Sequence, residues 1–361
     1  MSASRYRVVQ WATGNIGSRS LRAVIEHPRL DLVGVYVTSP DKVGRDAGDL
    51  CGLGPVGVAA TGEVDEVLGL DADCVLFMQH GSDVDVLCRL LESGVNVVAT
   101  SGGFHHPPGL DPAVRARVEA ACAHGGSSLH TTGVSPGFIS EAVPIVLLSL
   151  QRRLDRLRIE EFADLSSRDS PMLLFDLMGY GKSPDTFDAG RWAHGADSFG
   201  PSLRQVADGV GLPLDSVDST GEVALANHDI EIAAGTIPAG TVAGQRMTVA
   251  GRRHGEVLMS FSATWYCSDD LDADWDLRGG GWRVRVEGDC PLDAEIRLDV
   301  PLERMAESTP GYTANRAVNA VPVVCDAAPG IRTTAELPQI VADLNLAVEP
   351  TAGAAAAGSQ P

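Results

Sequence analysis

The chain has 361 residues, 44% of them hydrophobic, and a formal net charge of −20. That is apolar material for one large core or two ordinary ones. The acidic charge, spread along the chain, argues against nucleic acid or an anionic membrane as a partner, because both need a basic footprint.

The first predicted strand, 6–11, runs into "WATGNIG" and then a helical pattern at 17–27 with Leu21, Val24 and Ile25 on one face. This is the strand–turn–helix of a dinucleotide loop, except that Ala12 stands where G-x-G-x-x-G has its first glycine. The loop residues Ala12, Thr13, Gly14, Asn15, Ile16 and Gly17 are cofactor-binding candidates. Gly14 admits the pyrophosphate, Gly17 admits close packing of helix on strand, and the helix N-terminus points free N–H groups at the phosphates. Ala12 is expected to make the turn with a negative φ.

The second strand, 31–37, ends in Thr38 and Ser39 with no acid at its tip, and Lys42 and Arg45 follow. Hydroxyls with nearby cations suit a 2′-phosphate and favour NADP over NAD; Asp41 reaching the ribose is the alternative. Further apolar runs at 74–78, 95–99 and 127–131 read as buried strands, separated by helical patterns at 82–93 and 111–124. The second of these helices has Asp111 as N-cap and Pro112 as its first residue. The alternation predicts a parallel sheet with helices on both faces, a doubly wound α/β Rossmann domain over 1–140.

In such folds the site lies beyond the carboxyl ends of the strands. Met78 and His80 after the fourth strand, Thr100 after the fifth and Ser135 after the sixth are therefore cofactor-binding candidates; His80 alternatively caps the following helix. "GVSPG" at 133–137 also matches a serine-hydrolase elbow, a remote alternative. The oxyanion hole of that design needs the N–H of the residue after the nucleophile, and here that residue is Pro136, which has none.

From 141 to 310 the pattern changes to longer, better-alternating strands at 156–165, 221–234, 242–250, 256–267, 282–288 and 294–300. They predict a second α+β domain on a mostly antiparallel sheet, for substrate and dimerisation. The stretch 166–200 reads as a long irregular segment, and such segments are often functional. Its Asp169, Phe175, Met178 and Tyr180 are substrate-pocket candidates, with Phe104 and Phe138. Residues 311–346 read as a helical segment returning to the first domain, and 347–361 as a disordered tail.

Seven widely spaced cysteines, without C-x-x-C or zinc spacing, read as free thiols in a reducing cytoplasm, with no metal. Residues 1–7 lead straight into a strand with no apolar leader. The most apolar run, 142–150, is too short to span a bilayer.

Together, "VVQWATGNIG", "TSPDKVGRDAGDLCGLGPVGV", "GVNVVAT", "GVSPGF" and "NRAVNAVP" resemble the dihydrodipicolinate reductase-like oxidoreductases of actinobacteria, the group that includes 2,4-diaminopentanoate dehydrogenase and the native amine dehydrogenases. The resemblance is thin from 166 to 310. It implies a Rossmann domain, a substrate domain, NAD(P), and commonly a homodimer built through the second domain. Its amine dehydrogenases interconvert amines with ketones or aldehydes plus ammonia. This chain departs from the group twice. The E-x-H-H-x-x-K-x-D-x-P-S-G-T signature of true dihydrodipicolinate reductases is missing. The loop that carries the family's catalytic glutamate reads "TSGGFHHPPGL" (100–110), with no carboxylate.

His105 and His106 stand in that loop and become the catalytic candidates, since imidazole exchanges a proton near pH 7. The loop shifts the expectation toward plain carbonyl or imine reduction; Asp169 is a possible stand-in for the glutamate. The expected activity is hydride transfer, with NAD(P), at a C=O or C=N carbon of a small, fairly apolar substrate. The alternative is a nucleotide-binding sensor that has lost catalysis.

Overall fold

The computed structural model describes residues 5–100 and 103–344. Ser101 and Gly102 of the histidine loop, and the low-complexity tail, lie outside them. Strands β1 (Tyr6–Trp11), β2 (Leu30–Tyr36), β3 (Ala60–Thr61), β4 (Cys74–Phe77), β5 (Asn96–Ala99) and β6 (Ser128–Thr131) alternate with helices. These are α1 (Asn15–Glu26), the short α2 (Ala47–Leu50) and α3 (Val64–Leu68), α4 (Val84–Glu92) and α5 (Pro112–Gly125). Every pairing among these strands is parallel. The near-continuous valine and leucine runs have a simple cause: Val8 and Val9, or Val97 and Val98, point to opposite faces, and both faces are covered. The Asp111 carboxylate accepts from the N–H groups of Ala113 and Val114 and starts α5.

Beyond β6, α6 (Val143–Leu148) leads to β7 (Leu154–Asp164), then α7 (Ala189–Gly209). Next come β8 (Ser216–Leu225), the small ribbon β9 (Ile230–Ile232) and β10 (Gly235–Ile237), β11 (Val242–Arg253), β12 (Glu256–Tyr266), β13 (Gly281–Gly288) and β14 (Leu292–Arg297). Among the described residues the second large sheet runs β14-β13-β7-β12-β11-β8, antiparallel except where β12 meets β7. One face carries ion pairs such as Arg285–Glu160 at 2.9 Å and Arg158–Glu287 at 3.0 Å. The other, with Leu157, Ile159, Phe261 and Val284, packs under α6 and α7. Phe199 of α7 stacks on Phe261 of β12, ring centroids 4.0 Å apart.

Helix α7 occupies the end of a stretch whose sequence predicts an irregular segment. Glycines and Pro201 interrupt its pattern, and the glycines serve packing. A methyl on Gly195 would overlap the Met247 side chain, and one on Gly200 would press on Val217. The missing Cβ atoms let the helix lie close on the sheet.

The chain then returns. Helix α8 (Leu302–Cys325) starts earlier than its sequence suggests, with Pro310 and Pro322 inside it. Its Ala317, Val318, Val321 and Val324 cover Val8, Leu76 and Val98 of the first sheet. Strand β15 (Gly330–Arg332) then pairs parallel with β6, giving the order β15-β6-β5-β4-β1-β2-β3. The doubly wound order 3-2-1-4-5-6 is thus extended by one strand at its β6 edge. No described helix is long and apolar enough to cross a membrane.

Candidate active site

The turn after β1 departs from expectation in one dihedral. Ala12 has φ +69°, in the left-handed region, where a Cβ costs energy. Two bonds hold it there: its N–H donates to the Tyr36 carbonyl at 2.8 Å, and its own carbonyl accepts the Gln10 amide at 2.9 Å. That carbonyl faces α1 so closely that a methyl on Gly17 would overlap it. Gly17 is therefore a packing glycine. Gly14 is not: a Cβ there meets nothing within 4 Å.

Gly14 is the N-cap of α1, which has no side-chain cap and no acid in its first turn. Its first N–H groups are thus left without a side-chain acceptor from this turn, the arrangement an anion takes up. Asn15 is turned away, its Oδ1 accepting from Arg19 at 2.6 Å, and Ile16 packs toward α8's core. The Lys42 ammonium donates to the Thr13 carbonyl at 3.1 Å and hydroxyl at 3.2 Å. Thr38 and Arg45 are exposed and Ser39 is half-buried at the tip of β2. These residues fit a dinucleotide, whose nicotinamide supplies the hydride when bound.

At the other strand ends, Met78 is buried and its sulfur accepts from the Thr100 hydroxyl at 3.2 Å. His80 is exposed and does not cap α4; Asp83 does.

The two histidines diverge. His105 Nδ1 lies 2.6 Å from Glu141 Oε1, and both side chains are almost wholly buried. Glu141 also accepts from the hydroxyls of Ser202 on α7, at 2.6 Å, and Thr334 beyond β15. Burial pushes its carboxyl pKa up, but the His105 charge and these hydrogen bonds outweigh burial and hold it below the usual carboxylate value. The pair therefore joins the loop after β5, α7 and the returning strand. His106 turns the other way, its Nε2 2.8 Å from Asp208 Oδ2. Sequence reasoning missed Glu141, although it is the one charged residue in the apolar run 133–150.

A cavity of about 480 Å3 opens where Val134 and Ser135 meet the carboxyl ends of β7 and β12. Trp265, Trp282, Phe162, Leu165 and Met178 give it an apolar wall, and Glu161, Ser167 and Arg168 bring polarity. Met178 alone of the expected pocket residues lines it. Phe104 belongs to the first domain's core, and Tyr180 to the second's, its hydroxyl donating to the Trp265 carbonyl at 3.0 Å. Phe175 packs on that same second cluster, Phe138 lines a separate cavity under Arg316, and Asp169 is exposed. Neither His105 nor His106 lines the cavity.

Ser135 is half-buried and precedes a cis Pro136, and its buried hydroxyl has no hydrogen-bond partner among the described residues. With no histidine on that hydroxyl, the hydrolase alternative lacks its base.

The comparisons with known proteins agree with this architecture. Residues 8–124 match the family model described as dihydrodipicolinate reductase, N-terminus. Residues 138–350, more than half of the chain, match the 2,4-diaminopentanoate dehydrogenase C-terminal domain. An amine dehydrogenase from Streptomyces virginiae is 28% identical over 344 residues, 91% of this chain and 95% of that protein. A 2,4-diaminopentanoate dehydrogenase from Acetoanaerobium sticklandii is 22% identical over 295 residues, 76% of this chain and 78% of the relative. The structure of an amine dehydrogenase from Mycobacterium smegmatis superposes with a TM-score of 0.74 at 24% identity, covering 94% of this chain and 98% of that one, a likeness of fold. A parallel sheet with an uncapped glycine turn, continued by this second domain, makes the chain a member of the dihydrodipicolinate reductase-like family that carries the 2,4-diaminopentanoate dehydrogenase C-terminal domain, and an NAD(P)-dependent oxidoreductase.

Proposed function

We propose that the chain interconverts an amine with its ketone or aldehyde and ammonium. In the reductive direction a carbonyl compound, ammonium and NAD(P)H give the amine, NAD(P)+ and water. Two electrons pass as hydride to the former carbonyl carbon, and the carbonyl oxygen leaves as water. The observation that carries the reading is the cavity that opens on Ser135, at the carboxyl edge of the sheet that also bears the dinucleotide turn. The names of the relatives supply the C–N chemistry.

The protein's part is position and exclusion of water. An apolar wall around the reacting carbon keeps bulk water from the iminium carbon before hydride reaches it. His105, buried against Glu141 and off the cavity wall, acts as a positioning residue for the loop after β5. NADP is the preferred cofactor: residues 36–40 carry no acid, and Ser39, Lys42 and Arg45 offer a hydroxyl and two cations to a 2′-phosphate. The reading includes a homodimer through the second domain and a cytoplasmic setting, the latter consistent with seven unpaired thiols.

The test is NADPH and NADH consumption with ammonium and a panel of ketones and aldehydes, beside cofactor titration by tryptophan fluorescence. Ammonium-dependent consumption is the expected result. Consumption that ignores ammonium assigns simple carbonyl reduction instead. Failure to bind either cofactor at millimolar concentration refutes both.

A further inference from the structure

Arg316 lies midway along α8, and its charge is left unmet. It is half-buried, and its guanidinium carbon sits 5.8 Å from the centroid of the Phe138 ring. No side-chain hydrogen bond or ion pair reaches it among the described residues, and its Nε is buried without a partner. Burial lowers its pKa from the usual guanidinium value, and the Glu141 charge opposes that only in part. Glu141 is no ion-pair partner for it. His105 and the hydroxyls of Ser202 and Thr334 already hold that carboxylate.

Arg316 and Phe138 line a cavity of about 400 Å3 among β6, α6 and the segment after β15, which shares no lining residue with the cavity at Ser135. His130 of β6 lines it too, and is only 1% exposed. Its Nδ1 lies 2.7 Å from the Arg332 carbonyl. A carbonyl only accepts, so Nδ1 carries the proton and Nε2 is a bare acceptor. That Nε2 is buried without a partner. Burial pushes the imidazole pKa down to about 4, against the opposing effects of the Arg332 carbonyl and the Glu141 charge, so the ring is neutral at pH 7. The rest of the wall is largely apolar, with Val143, Ile145 and Leu147 of α6 facing Leu337 and Ile340. Val146, 56% exposed, brings the cavity within reach of solvent.

A half-buried cation without an anion is costly, and so is a buried acceptor without a donor. Water would serve the imidazole, but it leaves the apolar wall wet and brings no charge to Arg316. The cavity has the size of ordinary small-molecule sites, about 300–1,000 Å3. We propose that it is a second ligand site, separate from the hydride chemistry, for a small apolar acid that also bears a hydroxyl or N–H donor. The ligand carboxylate meets Arg316, its donor meets His130 Nε2, and its apolar body lies against Phe138, Leu147 and Ile340. The inference stands on this cavity alone and does not depend on which reaction the chain performs.

The experiment is calorimetric titration of the full chain in excess NADPH, which keeps the acids out of the dinucleotide turn. The probes are 2-, 3- and 4-hydroxybenzoate, benzoate and the neutral 4-hydroxybenzyl alcohol. At least one hydroxybenzoate is expected to bind more than about tenfold tighter than the alcohol, the effect of one charge-assisted contact. The same acid is expected to bind about fivefold tighter than benzoate, the effect of one neutral hydrogen bond. Arg316→Met erases the preference for acid over alcohol, and Arg316→Lys, which keeps a cation over Phe138, retains part of it. His130→Asn, whose amide can still donate to the Arg332 carbonyl, erases the preference for hydroxybenzoate over benzoate and leaves benzoate binding in place. A merely structural role for either residue would weaken all the probes alike. Equal binding of acid and alcohol by wild type, binding of none of the acids, or a preference that survives Arg316→Met overturns the proposal. So does binding that is lost in Arg168→Met and kept in Arg316→Met, which moves the acid to the cavity at Ser135.

Discussion

Ala12→Gly should make the protein more stable, although the change removes a methyl group. Ala12 is held at φ +69° by bonds to Tyr36 and Gln10 that any residue would make through its backbone. A Cβ in the left-handed region costs roughly 1–2 kcal/mol. Glycine removes that cost but returns about 0.5–1 kcal/mol of chain entropy to the unfolded state. The net is a stabilisation of about 0.5–1 kcal/mol, or a rise in Tm of about 1–3 °C for a chain of this size. Denaturation by urea, without cofactor, measures it. NADPH affinity should move by less than about threefold, because the phosphates approach at Gly14, where a Cβ already meets open space. A less stable Ala12→Gly protein would mean that the alanine methyl packs more favourably than the backbone is strained, and the account of this turn would be wrong.

Gly17→Ala should do the opposite: its methyl would overlap the Ala12 carbonyl, backbone against backbone. Overpacking of that kind costs about 1–3 kcal/mol, and α1 must move off the strand, so the urea midpoint and NADPH affinity fall together. Glu141→Gln removes one member of a buried pair, which costs about 3–5 kcal/mol. Because Glu141 titrates below the ordinary carboxylate value, its contribution is present above the unfolded pKa of about 4.3. That contribution is lost as pH falls through the lower folded value. The stability of wild type should therefore drop more steeply on acidification than that of Glu141→Gln, as melts across that range will show. Arg45→Ala should weaken NADPH by about tenfold, the loss of one charge-assisted phosphate contact, and leave NADH unchanged; equal loss for both would remove Arg45 from the 2′-phosphate site.

Much of the first domain was legible because a parallel sheet buried on both faces writes itself as uninterrupted valine and leucine, and because Asp111 and Pro112 mark a helix start by local chemistry alone. Helix α7 was not, because its signal is tertiary. Gly195 and Gly200 read as breakers until Met247 and Val217 are seen lying where their side chains would be. The left-handed Ala12 was hidden for a similar reason: the partner that over-determines it, the Tyr36 carbonyl, is on another strand. His105 and His106 were alternative candidates for one proton donor, and the backbone between them sends the first to Glu141 and the second to Asp208. The acids themselves did leave a trace. Glu141 interrupts an apolar run, and Glu161 takes a core-facing position in the strand whose Leu157 and Ile159 point inward. A charge at a position whose period demands an apolar residue was the readable mark of both.

What separates those two acids is how their charge is met. Glu141 has a histidine and two hydroxyls around it and borders no solvent, so nothing remains for a ligand to do there. It ties together three elements that meet only in the folded chain, and its loss should be felt as stability. Glu161 has two indole donors, which fix its orientation but do not neutralise its charge, and it borders a cavity large enough for a small molecule.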